Sequence, residues 1–308
     1  MKCFATFSQE YPELAQAELR ALNNKVLFRD TLVVFSDAGL VRRSAFIRTA
    51  FALIFSAQGS VIPKIDWNKH ITGSYCVRVH GNKGGEKNIA KAIHAQLRSP
   101  VVDLENPGTQ IQFFFTKSHI YCGKLLWEQY ERFEERRAHL RAAHSPVSLH
   151  PKLARAMVNL TGVKTGILLD PFCGTGGILI EAGLMGFPVV GCDIDEKYVA
   201  MAKKNLSMFE LHESTVIQSD ALTLTGSYPY IATDLPYGKN TKTQNLMKLY
   251  RAFFLRLRAL KTKRAVVGMP STVACGSLLK GTGYKVQGQF TIYIHKSLSK
   301  KIIVLERA

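Results

Sequence analysis

The sequence predicts an α/β protein: a doubly wound, mostly parallel sheet preceded by small α+β regions. Three observations carry this. From about residue 145, short apolar runs alternate with amphipathic helical stretches. A glycine-rich turn, Gly174-x-Gly176-Gly177, follows the first of those runs. Acidic residues recur where successive strands end, at Asp170, Asp193, Asp220 and Asp234. In such a sheet, ligands lie at the carboxyl ends of the strands.

Taken in order, residues 1–55 read as a first α+β region. It has a strand at Lys2–Phe7, a helix through Pro12–Ala21, a strand at Thr31–Ser36 and a helix over Leu40–Phe55, whose apolar residues fall at helical spacing. Residues 60–125 read as a second. Tyr75–Val79 is a strand, Gly81-Asn82-Lys83-Gly84-Gly85 a turn and Glu86–Leu97 a helix, with strands at Ile111–Phe115 and His119–Cys122. The charge-dense segment Trp127–His144 suits an exposed linker helix.

The alternating region opens with a helix at Pro151–Leu160 and a strand at Gly166–Leu169, then the glycine turn and a helix at Ile178–Met185. Strand Val189–Cys192, helix Tyr198–Phe209 and strands Thr215–Gln218 and Tyr230–Thr233 follow. Helix Leu246–Ala259, strand Ala265–Gly268 and two last strands, about Val286–Ile294 and Lys301–Leu305, complete it. Tyr250, Phe253, Phe254 and Leu257 read as core on the long helix, with Arg251, Arg256 and Arg258 on or beside its solvated face.

Composition narrows the function. The 308 residues are 46% hydrophobic, with a mean hydropathy of +0.00, which describes a soluble globular chain long enough for about two or three domains. No signal peptide or membrane-spanning run is legible, so the expected location is the cytoplasm. Six scattered cysteines lack Cys-x-x-Cys spacing, which argues against structural zinc and against a secreted disulfide framework. Cys173, within the glycine turn, reads as a small packed side chain rather than a nucleophile. The net charge of +18 points to a polyanionic partner. Both halves are basic, at +7 for residues 1–141 and +11 for residues 142–308. No acid lies between Leu235 and Leu305, whereas Lys239, Lys242, Lys248, Arg251 and Arg256 crowd that stretch. A broad nucleic-acid footprint explains this better than a basic tail.

The glycine turn suits a nucleotide, because glycines let the backbone pass under a ribose. A dinucleotide fingerprint would need a third glycine where Leu179 stands, which weighs against NAD or FAD. Asp193 lies 19 residues after Gly174, close to the spacing at which an acid takes ribose hydroxyls. Asp220, one strand later, is placed to accept from an adenine amine. Any one of these acids alone could equally be a loop or helix cap.

The fourth acid opens the turn Asp234-Leu235-Pro236-Tyr237-Gly238. A nucleobase amine is a poor nucleophile, since its lone pair is delocalised into the ring. Asp234 and the Leu235 carbonyl could accept its two hydrogens, Pro236 would stiffen the turn and Tyr237 would stack on the base. Adenine, guanine and glutamine amides all remain candidates on this turn alone.

The ordered acids resemble those of class I S-adenosylmethionine-dependent methyltransferases. The turn resembles the Asp/Asn-Pro-Pro-Tyr motif of amino methyltransferases, with Leu235 in place of the first proline. The Asp and the following Gly238 look like the tRNA guanosine-10 N2-methyltransferases. Arg141-Ala-Ala-His144-Ser145-Pro146, then His150-Pro151-Lys152-Leu153-Ala154-Arg155, resembles the segment that closes over the cofactor in that family. Val77-Arg78-Val79, Val101-Val102-Asp103-Leu104 and Tyr121-Cys122-Gly123 look like a THUMP domain, which grips the acceptor end of tRNA.

The resemblance implies a Rossmann-like methyltransferase sheet with an antiparallel C-terminal strand. It divides the chain into a ferredoxin-like region (1–55), a THUMP-like domain (56–125), a linker (126–145) and a methyltransferase domain (146–308). S-adenosylmethionine would be held by His150, Pro151, Asp170, Phe172, Gly174, Thr175, Gly176, Asp193, Ile194, Asp220, Ala221 and Asp234. Asp234, Leu235, Pro236 and Tyr237 would carry the chemistry, with no metal. The implied reaction methylates guanosine N2 in tRNA, at position 10, once or twice. The partners are tRNA and, as for some relatives, a small activator subunit, with neither membrane nor DNA expected. The rivals are an N2-guanosine methyltransferase acting elsewhere in tRNA or rRNA, a DNA adenine methylase, and a catalytically silent tRNA-binding protein.

Overall fold

The computed structural model describes residues 1–36, 39–82, 84–145, 148–237, 243–295 and 298–308. Gly238, Lys239 and Lys242, together with Lys83 and Pro146, lie outside the described residues. The chain forms two compact units. The first comprises Met1–Glu10, Asn23–Arg42 and Phe46–Tyr130, and the second Tyr11–Leu22, Arg43–Ala45 and Glu131–Ala308.

The first unit is one sheet built from β1 (Cys3–Phe7), β2 (Leu27–Arg29), β3 (Leu32–Phe35), β4 (Ile47–Gln58), β5 (Ser74–His80), β6 (Val101–Val102), β7 (Thr109–Phe115) and β8 (His119–Glu128). Its order is β2-β3-β1-β4-β8-β7-β5-β6. Where a helix was expected over Leu40–Phe55, a single 3-10 turn at Leu40–Arg43 precedes β4. Two partners decide this: β4 pairs antiparallel with β1 along one edge and with β8 along the other. The bonds of two ladders and the burial of Ala50 and Phe51 outweigh a spacing that fits either periodicity.

The second unit carries α1 (Pro12–Leu22), α3 (Pro151–Leu160), α4 (Gly177–Leu184), α5 (Glu196–Met208), α6 (Thr243–Ala259) and α7 (Cys275–Leu279); α2 (Gly85–His94) belongs to the first unit. Its sheet comprises β9 (Leu168–Asp170), β10 (Val189–Asp193), β11 (Thr215–Gln218), β12 (Tyr230–Asp234), β13 (Arg264–Pro270), β14 (Tyr284–His295) and β15 (Leu298–Arg307). The order is β11-β10-β9-β12-β13-β15-β14, parallel through β13, with β15 inserted antiparallel between β13 and β14. This is the expected doubly wound sheet. Order reverses between β9 and β12, so their carboxyl ends flank the crevice where such sheets bind ligands.

Burial explains why α1 packs with the second unit. Its Glu18 is fully buried and accepts from the Ser44 hydroxyl (2.6 Å), the Ala45 amide (2.8 Å) and Asn159 Nδ2 of α3 (2.7 Å). On α6, Tyr250, Phe253, Phe254 and Leu257 are all buried, as the sequence predicts.

The segment 127–144 departs from expectation. β8 runs through Glu128, and 3-10 turns at Phe133–Arg136 and Ala138–Leu140 replace the exposed linker helix. The cause is a buried ion network. Glu181 of α4 accepts from Arg136 Nε (2.7 Å) and Arg155 Nε (2.9 Å), while Glu131 pairs with both arginines at 2.9 and 3.2 Å. The Phe133 ring lies under both guanidiniums.

Candidate active site

The glycine turn takes its shape from the acids around it. β9 ends at Asp170, whose Oδ1 accepts the Phe172 amide (3.3 Å) and the Thr233 hydroxyl of β12 (2.7 Å). The ends of two neighbouring strands are thereby tied together. Gly174 (φ 49°) and Gly176 (φ 82°) adopt the left-handed backbone that other residues resist. Asp193 Oδ2 accepts the Gly174 amide at 2.9 Å. Asp220 Oδ1 accepts the Leu222 amide at 2.9 Å, so it also shapes its own loop.

These groups surround a cavity of about 550 Å³ within the second unit. Its walls include Asp170, Phe172, Gly174, Thr175, Asp193, Ile194, Asp220 and Ala221, together with Asp234, Leu235, Pro236 and Tyr237. Ile194 is 69% exposed at the rim, an apolar surface open to a flat ligand. Three expected residues lie outside the lining. Gly176 packs against Ala202, which a Cβ at 176 would meet at 3.3 Å. His150 caps α3, its Nδ1 accepting the Lys152 amide (3.2 Å) and its Nε2 lying 3.1 Å from Glu134, and Pro151 is the buried first residue of that helix. The segment before α3 reaches the cavity instead through Ser145, Ser148 and Leu149, with Ser148 Oγ 3.2 Å from Thr175 Oγ1.

Burial pushes the Asp170 carboxyl up to about 7, against the hydrogen bonds from Thr233 and Phe172, and the nearby Asp234 and Asp193 charges add to the rise. A carboxyl raised in the folded state stabilises the fold fully below its unfolded value, near 4, and that stabilisation is lost as pH rises through about 7. An asparagine in its place could keep both hydrogen bonds through its side-chain oxygen. Asp170→Asn is therefore expected to flatten the pH dependence of stability, with a difference on the order of a few kcal/mol between pH 4 and pH 8. Urea unfolding of the two proteins across that range checks it; parallel curves would refute it.

The turn after β12 carries the densest electrostatics. Asp234 Oδ2 accepts from Lys300 Nζ at 2.5 Å, and the same ammonium lies 4.3 Å from the centre of the Tyr237 ring. Asp234 Oδ1 is buried with no hydrogen-bond partner among the described residues. It sits against Gly268 of β13, where an added Cβ would come within 2.4 Å of it. Burial raises the Asp234 carboxyl, and Lys300 opposes that rise. Burial would depress Lys300, yet Asp234 and Tyr237 more than offset this and hold it above the usual lysine range. Sequence reasoning missed Lys300, though two lysines running straight into the strand core of β15 are a legible oddity.

Leu235 also finds an explanation. Its amide donates to the Gly268 carbonyl at 2.9 Å, a bond that proline could not make, and its side chain is fully buried beside Tyr250 and Phe253. The Tyr250 hydroxyl donates to the Pro236 carbonyl at 2.6 Å, holding the turn from beneath. The basic helix behind it is partly committed elsewhere. Arg251 donates to the Leu278 carbonyl (2.8 Å) and Arg256 to that of Leu224 (3.0 Å).

The UPF0020, RMKL-like methyltransferase domain matches residues 138–300. The chain is 34% identical, over 340 residues and the whole of both proteins, to the tRNA (guanine(10)-N2)-dimethyltransferase of Methanothermobacter thermautotrophicus. It is also 34% identical to that of Pyrococcus abyssi, covering 96% of each. Among solved structures it resembles TrmN from Thermus thermophilus, with a TM-score of 0.53, 21% identity and both chains covered in full.

Proposed function

This chain belongs to the RMKL-like methyltransferase family, and we infer that it transfers a methyl group from S-adenosylmethionine to the exocyclic N2 of a guanosine in tRNA, at position 10. One observation carries the reading. The Asp234–Tyr237 turn faces the same cavity as Asp170, Asp193 and Asp220, so cofactor acids and amine-binding groups share one space.

The donor set fits that cofactor. Asp170, costly as a buried carboxylate at neutral pH, is offset by a cationic ligand such as an α-ammonium or a sulfonium. Asp193 and Asp220 offer acceptors to hydroxyl and amine groups, and Ile194 and Phe172 offer apolar faces. When bound, S-adenosylmethionine supplies an electrophilic methyl on sulfur. The protein's own work is to hold the amine. Asp234 accepts its hydrogen and takes the proton released as N2 becomes bonded to carbon, while Tyr237 lies against the ring. The guanine must leave its stack to enter, since its amine is out of reach within a helix.

The residues assigned to the cofactor and the catalytic turn are proposals on this reading, as are the divisions at 55, 125 and 145. The region carrying the THUMP-like motifs is the proposed grip on tRNA, with a small activator subunit a further proposed partner and the cytoplasm the proposed location. No helix among the described residues is long and apolar enough to cross a membrane. The test is nucleoside mass spectrometry of a defined tRNA transcript incubated with the chain and labelled cofactor. N2-methylated guanosine mapped to position 10 is expected; label on adenine, or none, would overturn the reading. Adding or omitting an activator in the same assay decides its need.

A further inference from the structure

Three strands meet at Asp234. β12 carries it, Gly268 of β13 leaves the space its Oδ1 occupies, and β15 delivers Lys300 to its Oδ2. Both side chains are largely buried, the lysine 5% and the aspartate 15% exposed. Lysine is almost never buried without a partner, and no other acid lies between Leu235 and Leu305 in sequence. The geometry is asymmetric. Oδ2 accepts from the ammonium, while Oδ1 is buried against Gly268 with no hydrogen-bond partner among the described residues, in a residue that lines the cavity. The ammonium also lies over one face of the Tyr237 ring, 4.3 Å from its centre.

We propose that Lys300 is the positioning residue of the reaction: its ion pair fixes the orientation of the Asp234 carboxylate at the cavity wall, where that carboxylate receives the substrate amine, and it braces the Tyr237 ring. This rests on the methyl-transfer reading above. The step balances within that reading. The N2 lone pair forms the new bond to the methyl carbon, sulfur keeps the electrons of the bond it loses, and the proton shed by N2 passes to the Asp234 carboxylate and then to water. Lys300 keeps its own proton throughout. Among the described residues, the charged or titratable groups facing Asp234 are Lys300 on β15, Tyr237 on the turn, Tyr250 on α6 and Asp170 at the end of β9. Lys300 is the cation among these described groups, so its loss removes their opposition to burial, which favours a protonated, acceptor-poor carboxyl.

The test is Lys300→Met and Lys300→Arg in the full chain, with folding checked by circular dichroism and rates measured on a tRNA transcript from pH 5 to 9. The methionine variant is expected to lose about 100-fold in kcat. Its KM for tRNA and its affinity for the cofactor should stay within about threefold, and the acid limb of its kcat profile should move up by about one pH unit or more. Arginine, which keeps the cation in a different shape, should lose about three- to tenfold in kcat with KM unmoved. Unchanged kcat in the methionine variant, or in the arginine variant if it alone folds, overturns the proposal, as does a loss confined to KM. Product analysis of the wild type runs alongside. A wild-type product other than N2-methylguanosine indicts the functional reading, whereas the correct product with unaffected variants indicts Lys300.

Discussion

Replacing Asp234 with alanine is expected to lower kcat for methyl transfer on the order of 10³-fold, while tRNA affinity stays within about threefold. The argument is that binding and chemistry rest on different parts of the chain. Affinity for a polyanion comes from cations spread over both halves, and one buried acid adds nothing to it. On the proposed mechanism the amine, by contrast, meets its acceptor at Asp234, which lines the cavity. Alanine also strands the Lys300 ammonium, which loses its carboxylate partner at 2.5 Å. Some loss of stability should therefore accompany the loss of rate, and Asp234→Asn separates the two by keeping an acceptor oxygen beside Lys300. Filter binding and single-turnover methylation of the same transcript check the split. Methylation at the wild-type rate in the alanine variant would sink the assignment of Asp234.

The second large effect falls on folding. Glu181 is fully buried and receives two arginines, so Glu181→Gln leaves Arg136 and Arg155 sharing the single carboxylate of Glu131. Removing one partner of a buried pair costs about 3–5 kcal/mol, chiefly because the remaining charge stays buried and uncompensated. For a unit of this size that corresponds to a fall in Tm of about 10 °C. The exposed pair Arg132–Glu135, at 2.9 Å, is the control: Arg132→Ala should change Tm by no more than about 2 °C. Thermal unfolding followed by circular dichroism measures both. Equal shifts in the two variants would show that the network contributes no more than a surface pair.

Most of the second unit was legible because its elements are local. Pro151–Leu160 shows its helix in its own periodicity, with proline at the first position, and Thr215–Gln218 shows its strand as a short branched run. The strand-end acids were legible because a doubly wound sheet fixes where its ligands lie. Errors came where a distant partner decides the outcome. Ile47–Gln58 fits a helix on spacing alone, and becomes a strand because β1 and β8 flank it. Arg136 looks like a member of a solvated charge run until Glu181, 45 residues beyond it, claims it together with Arg155. The oddity of lysines entering β15 was legible, but the partner of Lys300 was not, its acid lying 66 residues earlier. Leu235 departed from the motif with no visible cause because its reason, a carbonyl on the adjacent strand, is tertiary.

Two lysines enter β15 side by side, and they do unrelated things. Lys300 reaches Asp234, while Lys301 donates to the Val273 carbonyl. Side chains alternate faces along a strand, so a shift of one residue would exchange them and carry Ile302 and Ile303 with them. When relatives are aligned to this chain, a one-residue slip near position 300 would match lysine to lysine and score almost the same. The pairing of β15 with β13, Lys300 opposite Pro270 and Lys301 opposite Met269, identifies which lysine of a relative corresponds to the one that serves the acid.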